Sequence, residues 1–174
     1  MTSPNMNDRK LAQLFTLYGI AVVVLVLDQF AKYVCNTSLV EGVPVTVIPG
    51  FDLLLAYNRG AAFSFLANAG GWQRIVLTGI SVSVSVFLAI WMTRLDNRNQ
   101  KLLGWSLALI LGGAVGNGID RALTGYVTDF ISVYAGSYRF ATFNIADSAI
   151  SLGAGLMILD IFLDYRRKTS DGRT

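Results

Sequence analysis

The sequence predicts a membrane all-α bundle: four transmembrane helices with a small extracytoplasmic β-rich subdomain and a short interfacial helix. Only 14% of the 174 residues are charged and 53% are hydrophobic, whereas soluble domains carry about 25% charged residues. Four apolar runs approach the roughly 20 residues that cross a bilayer, and basic residues gather at one end of those runs. The length predicts a single domain over residues 1–174.

The four runs justify the helices in order. The predicted spans are residues 14–34, 75–92, 102–119 and 145–163. The first span becomes polar at Asp28, Gln29 and Lys32, while the second and third carry no charge. The fourth has Asp147 near its start. No small-x-small cleavage site follows the first span, so we expect a retained helix rather than a signal peptide.

Basic residues orient the bundle. They precede the first span, separate the second from the third and follow the fourth: Arg9, Lys10, Arg94, Arg98, Lys101, Arg166, Arg167, Lys168 and Arg173. The positive-inside rule makes this side cytoplasmic, so both termini are expected there. The outer segments are then residues 35–74 and 120–142.

The outer segments contain strand patterns. "VPVTVIPG" and "FDLLLAYN" are bounded by Gly and Pro, which is typical of short strands. "DFISVY" and "YRFATF" flank "AGS" and predict a hairpin about Gly136. That hairpin would place Asp129 opposite residue 143 and therefore beside Asn144. The stretch "GAAF" after Arg59 fits either a turn that opens the short interfacial helix or a lid over a substrate.

The composition excludes several kinds of chemistry. The chain has no histidine, which removes Ser-His and Cys-His catalysis and most zinc sites. The single Cys35 forms no internal disulfide. Basic patches interleaved with aromatic residues are missing, so no nucleic-acid partner is predicted. We expect neither a metal nor a cofactor.

Polar residues collect at the outer ends of the spans. Asp28 and Lys32 have the i, i+4 spacing of an ion pair. Asn117 and Asp120 share one helix face, as do Asn144 and Asp147.

Asp129 and Asp147 are two carboxylates in apolar surroundings that could lie close together. Two close carboxylates share a proton because the repulsion between two negative charges raises the pKa of one of them. One then acts as a base on water while the other donates a proton to a carbonyl oxygen, as in aspartic proteases.

Five sequence blocks resemble a known family. They are "DQFAK" from Asp28, "NRGAAF" from Asn58, "GGAVGNGIDR" from Gly112, "VTDF" from Val127 and "FNIAD" from Phe143. In this order they resemble bacterial prolipoprotein signal peptidase (signal peptidase II), a family of four-span membrane aspartyl endopeptidases. The resemblance covers almost the whole chain.

The resemblance implies a role for each matching residue. The family's catalytic pair falls on Asp129 and Asp147. Its residues for substrate binding or support of that pair fall on Asp28, Lys32, Asn58, Gly60, Asn117, Asp120, Arg121 and Asn144.

The resemblance also implies a substrate, an inhibitor and a location. The family cuts prolipoproteins just before a lipobox cysteine that already carries diacylglycerol, and the peptide antibiotic globomycin inhibits it. The implied location is the bacterial cytoplasmic (inner) membrane, with the active site near the outer face and membrane lipids as partners. One complete set of blocks favours a monomer.

Several alternatives stay open from the residues. Asp120 and Arg121 fit either a structural ion pair or a substrate contact, and Asn117 and Asn144 fit helix capping as well as substrate binding. Asp28 and Lys32 fit a structural role.

Two other functions also fit membrane carboxylates. A small transporter would need polar groups near the midplane, whereas these gather at one end. A scaffold subunit would tolerate substitution of both aspartates.

Overall fold

Four long helices and a small sheet make up the described chain. The computed structural model describes residues 6–60, 72–95 and 100–170. The elements are α1 (Met6–Ser38), β1 (Val45–Ile48), β2 (Phe51–Asn58), α2 (Trp72–Thr93), α3 (Lys101–Leu123), β3 (Val127–Ala135), β4 (Tyr138–Arg139) and α4 (Ile145–Ser170). All four helices are long and apolar enough to cross a membrane. The predicted class of a four-helix membrane bundle with a β-rich subdomain is confirmed, and the predicted interfacial helix lies outside the described residues.

Helix α3 occupies the centre of the bundle and packs against the other three helices. In its most apolar window 56% of the residues are buried, compared with at most 22% in the other helices. Glycines allow this close packing. A Cβ on Gly112 would lie 2.6 Å from the carbonyl oxygen of Ala21 in α1. A Cβ on Gly113 would overlap the carbonyl oxygen of Ala146 in α4.

The helices extend past the predicted spans, because an apolar run indicates only the part of a helix that crosses the bilayer and polar residues continue the helix beyond it. Helix α3 continues to Leu123, beyond the expected end near residue 119. Arg74, at the start of α2, stabilises this end. Its Nη2 donates to the Ala122 carbonyl oxygen at 2.6 Å and its Nε to that of Arg121 at 3.1 Å. No local pattern around Arg74 predicts this contact.

The sheet joins the two outer segments. Its order is β1-β2-β3-β4, and every neighbouring pair is antiparallel. Strand β2 pairs with β3 in a register that sets Ala56 opposite Asp129 and Asn58 opposite Val127. The pairing therefore brings "FDLLLAYN" alongside "VTDF", although about 70 residues separate them.

The β3–β4 hairpin forms, but the predicted register is wrong. The turn consists of Gly136, with φ of 60°, and the residue after it. Tyr134 pairs with Arg139, whereas Phe143 bridges Ile131. The returning chain thus holds one more residue than β3 over the same length, which is a β-bulge. Residue 143 consequently lies opposite Ile131 and not Asp129.

Candidate active site

A cavity of about 730 Å³ opens where the sheet meets the ends of α3 and α4. Both predicted catalytic carboxylates, Asp129 and Asp147, line it. Asn58 and Arg121 also line it. The remaining lining residues are Ala56, Tyr57, Val127, Ala141, Thr142, Phe143, Ser148, Ile150 and Ser151.

Asp129 is the deeper of the two carboxylates. It lies on β3 with 3% of its surface exposed. The Asn144 Nδ2 donates to its Oδ1 at 2.7 Å, and the Asn58 Nδ2 to its Oδ2 at 3.3 Å. Burial, followed by the negative charge of Asp147, raises the pKa of Asp129 to about 7. A carboxyl group with this pKa exchanges a proton near neutral pH.

Asp147 lies in the first turn of α4, half-buried. The Asn117 Nδ2 donates to its Oδ1 at 2.7 Å. Asn144 is the N-cap of the helix, because its Oδ1 accepts the backbone N–H of Asp147 at 2.8 Å. The Nδ2 of the same side chain donates to Asp129. Asn144 therefore connects the two carboxylates and sets the entry of the chain into α4.

A buried charge cluster lies behind this pair. The Lys32 Nζ lies 2.7 Å from the Asp28 Oδ2 and 2.8 Å from the Asp120 Oδ2. It also donates to the Asn117 Oδ1 at 3.0 Å, so all three of its N–H groups have partners. Because Lys32 occupies the oxygen of the Asn117 amide, the NH₂ of that amide is directed to Asp147. The ion pair between Asp28 and Lys32 expected from their spacing is present.

Asp28 holds α4 as well as Lys32. It is fully buried, and its Oδ1 accepts the backbone N–H of Ala146 in the first turn of α4 at 2.9 Å. Gly116 permits this approach, since a Cβ there would lie 2.7 Å from the Asp28 Oδ2.

Gln29 completes the buried cluster and was not predicted as a site residue. Its Nε2 donates to the Asp120 Oδ1 at 2.9 Å and to the Gly116 carbonyl oxygen at 3.2 Å. Its place in the polar end of the first span, directly after Asp28, was the available signal.

Arg121 and Asn58 connect the cavity to the loop after β2. The Arg121 Nη2 donates to the carbonyl oxygen of Gly60 at 3.3 Å, and the Asn58 Oδ1 accepts the Gly60 N–H at 3.0 Å. Of the two alternatives for Asp120, a structural ion pair is present, and its partner is Lys32. Of the "GAAF" stretch, predicted to open an interfacial helix or to cover the substrate, only Gly60 is described, and residues 61–63 lie outside the described residues.

The fold and the site together define a multi-pass membrane protein with a cavity that holds two carboxylates at one end of its bundle. The model of the family described as Signal peptidase (SPase) II matches residues 20–163. The chain therefore belongs to the signal peptidase II family, which is a family of peptidases.

Curated relatives and solved structures agree with this membership. The lipoprotein signal peptidase of Hydrogenovibrio crunogenus is 48% identical over 84% of this chain and 85% of that protein. The lipoprotein signal peptidase of an Acinetobacter baumannii strain is 46% identical over 88% of each chain. A bacterial membrane enzyme solved by the in meso method at 2.3 Å has a TM-score of 0.78 at 33% identity, covering 88% of this chain and 91% of its own.

Proposed function

We propose that this protein is an aspartyl endopeptidase that removes the signal peptide from bacterial prolipoproteins. It cuts just before the diacylglyceryl-modified lipobox cysteine with a water activated by Asp129 and Asp147. One observation carries the proposal: both carboxylates line a single cavity, and Asn144 is hydrogen-bonded to each of their residues.

The two carboxylates divide the chemistry by their environments. Asp129, whose pKa is raised to about 7, holds the shared proton and donates it to the carbonyl oxygen of the scissile bond. Asp147 accepts a proton from the attacking water while Asn117 holds its other oxygen in place. General acid–base catalysis of this kind contributes about 10²–10⁴-fold per group.

The supporting residues have separate tasks in this proposal. Asn144 and Asn117 orient the two carboxylates. Lys32, held by Asp28 and Asp120, fixes Asn117, and Asp28 also fixes the start of α4. Asn58 and Arg121 line the cavity, Gly60 is hydrogen-bonded to both, and these three residues hold the substrate backbone. Arg121 suits that task because a guanidinium presents several donors in a fixed plane.

The membrane setting follows from the same arrangement. The protein lies in the bacterial cytoplasmic membrane as a monomer, with both termini cytoplasmic and the cavity near the outer face. There the peptide and water both reach the carboxylates while the diacylglycerol stays among lipids beside the helices. Globomycin inhibits by occupying the cavity, whose volume of about 730 Å³ suits a ligand of that class.

Mass spectrometry of a synthetic substrate tests the proposal. Purified protein in nanodiscs is incubated with a lipobox peptide bearing diacylglyceryl-cysteine, beside an unlipidated copy. We expect one cut, directly before the lipidated cysteine, and no cut of the unlipidated peptide. Asp129→Asn and Asp147→Asn abolish it while the protein stays folded. A cut at another bond, or full activity in either folded variant, would contradict the proposal.

A further inference from the structure

A second polar cluster crosses the sheet outside the candidate active site. We name it the sheet clasp, and it consists of Thr46, Asp52, Ser132 and Arg139, one residue from each strand. Thr46, Asp52 and Ser132 are direct cross-strand partners. The Thr46 Oγ1 donates to the Asp52 Oδ1 at 2.9 Å.

Arg139 closes this row from the far edge of the sheet. Its Nη2 lies 2.6 Å from the Asp52 Oδ2, and its Nη1 donates to the Ser132 Oγ at 2.6 Å. Its guanidinium also lies 4.9 Å from the ring centroid of Tyr134, within the range of a cation–π contact. A planar fork that bonds two strands at once is a geometry that lysine does not reproduce.

Two of the four clasp residues, Asp52 and Ser132, are shielded from water, while Thr46 and Arg139 are exposed. The Asp52 side chain is 3% exposed and Ser132 is fully buried, while the Arg139 side chain is 38% exposed. The hydrogen bond from Arg139 holds the pKa of Asp52 below its usual value, so the ion pair persists across the physiological range. A buried ion pair adds little net stability compared with apolar residues of the same volume. Its geometric effect on the sheet is therefore the property to explain.

The clasp fixes a segment that forms one wall of the cavity. Strand β4 has only two residues, and Arg139 is its last. Directly after it, residues 141–143 line the cavity, and the chain then reaches Asn144. The Phe143 N–H donates to the Ile131 carbonyl oxygen at 3.0 Å. The bulged wall is thus held at its far end by Phe143 and at its near end by Arg139.

We propose that Asp52 and Arg139 are positioning residues for substrate binding, because their ion pair sets the place of the cavity wall formed by residues 141–143. The pair touches no reacting group and acts through the wall alone. The inference rests on the proposed peptidase function for its kinetic test. Asp129 lies near the other end of β3, paired with Ala56, and Phe143 is bonded to Ile131 through both its N–H and its carbonyl oxygen. We therefore expect the wall to shift at residues 141 and 142 while Phe143, Asn144 and the proton donor stay in place.

Steady-state kinetics on the lipidated lipobox peptide separate this role from a merely structural one. In Arg139→Gln we expect KM to rise about 5-fold or more with kcat within about twofold, since wall contacts supply binding and not chemistry. Arg139→Lys keeps the charge but not the fork, and gives a smaller rise in KM. Loss of folded protein alone would lower kcat and leave KM unchanged, and that result overturns the proposal.

Two further variants keep the test decisive. Arg139→Gln leaves the buried Asp52 carboxylate without its cation, and the double variant Asp52→Asn with Arg139→Gln removes that charge. The double variant folds and still shows the raised KM if the ion pair positions the wall. Lys168→Met breaks the exposed pair with Asp164 at the opposite end of α4, and we expect KM and kcat to match the wild type.

Hydrogen exchange tests the clasp independently of the reaction. The Phe140 and Phe143 amides donate to carbonyl oxygens of β3 at 2.9 and 3.0 Å. We expect faster exchange at the Phe140 amide, next to Arg139, in Arg139→Gln. The Phe143 amide should keep its exchange rate because its bond to Ile131 does not depend on the clasp, and both amides should exchange as in the wild type in Lys168→Met. If the wild type fails to cleave the peptide, the proposed function fails, and exchange still decides the clasp. Unchanged exchange at Phe140 in Arg139→Gln overturns the proposal.

Discussion

Asn144 uses both ends of its amide in the candidate site. Its Oδ1 accepts the backbone N–H of Asp147, and its Nδ2 donates to Asp129. A carboxylate at this position would still cap α4 but would present an acceptor to Asp129 in place of a donor. The requirement for an amide at residue 144 therefore comes from the pair of aspartates and not from the helix alone.

The raised pKa of Asp129 has a consequence for stability. The folded-state pKa of about 7 exceeds the unfolded value of about 3.9. The contribution of this group to stability is thus fully present below about pH 4 and is lost as the pH rises through 7. Asp129→Asn lacks this pH dependence. We expect its Tm in detergent to exceed that of the wild type at pH 8. The corresponding gain in the free energy of unfolding is at most about 4 kcal/mol.

Differential scanning fluorimetry between pH 4 and pH 8 measures this difference. The gap in Tm between Asp129→Asn and the wild type should widen from pH 4 to about pH 7 and then level off. A gap that stays constant across this range would show that Asp129 does not titrate with a raised pKa.

Lys32 is the cation on which two buried carboxylates depend. Lys32→Met leaves Asp28 and Asp120 without their shared partner, and removing one member of a buried pair costs about 3–5 kcal/mol. It also frees the Asn117 amide to rotate away from Asp147. We therefore expect Lys32→Met to lower both the Tm and the peptidase activity.

Lys168→Met is the matched control for Lys32→Met. Its partner is Asp164 at i−4, and both side chains are more than half exposed. Exposed pairs of this kind contribute about 0–1 kcal/mol. If the two lysine variants had the same Tm, the buried cluster would not stabilise the bundle.

At the scale of elements, helix α4 depends on side chains from elsewhere for its start. Its first turn receives Asp28 from α1 and Asn144 from the preceding loop. Acceptors at this end also match the positive pole of the helix dipole. The position of the Asp147 carboxylate therefore depends on how closely α4 packs against its neighbours, which glycines govern.

Two glycines of α4 test that dependence. A Cβ on Gly153 would lie 2.7 Å from the Ser106 carbonyl oxygen of α3, whereas one on Gly155 would meet nothing within 4 Å. We expect Gly153→Ala to destabilise the bundle by about 1–3 kcal/mol through overpacking. Gly155→Ala should leave stability unchanged or raise it by up to about 1 kcal/mol.

Thermal unfolding in one detergent compares the two alanine variants directly. They lie two residues apart on the same helix and gain the same methyl group, so helix propensity affects both equally. Equal Tm values would mean that α3 and α4 do not require their observed closeness.

At the scale of the whole molecule, the helices and one ion pair could be predicted from the sequence. Apolar runs of about 20 residues and the i, i+4 spacing of Asp28 and Lys32 are local signals. The pairing of β2 with β3 is not local, because its register depends on how the two outer segments meet. The ion pair of Asp120 with Lys32 is not local either, because it depends on how α1 packs against α3. The bulge after Arg139 likewise follows from contacts across the sheet.

The predicted orientation of the whole molecule is testable by cysteine labelling. In a Cys35→Ser background, Ser137→Cys lies in the exposed β3–β4 turn and Thr169→Cys near the end of α4. A membrane-impermeant maleimide added to spheroplasts should label residue 137 at once and residue 169 only after permeabilisation. The reverse pattern would invert the assignment of the cytoplasmic side.

The central place of α3 divides the molecule by its tolerance of change during evolution. Because α3 packs against the three other helices, which are mostly exposed, a substitution at any of its buried positions disturbs a neighbour. The outward surfaces of α1, α2 and α4 do not pack against another described helix or strand, and their apolar composition suits contact with lipid. In lineages that live at different temperatures, the residues on those surfaces can therefore change to suit thicker or more fluid membranes without displacing the residues around the cavity.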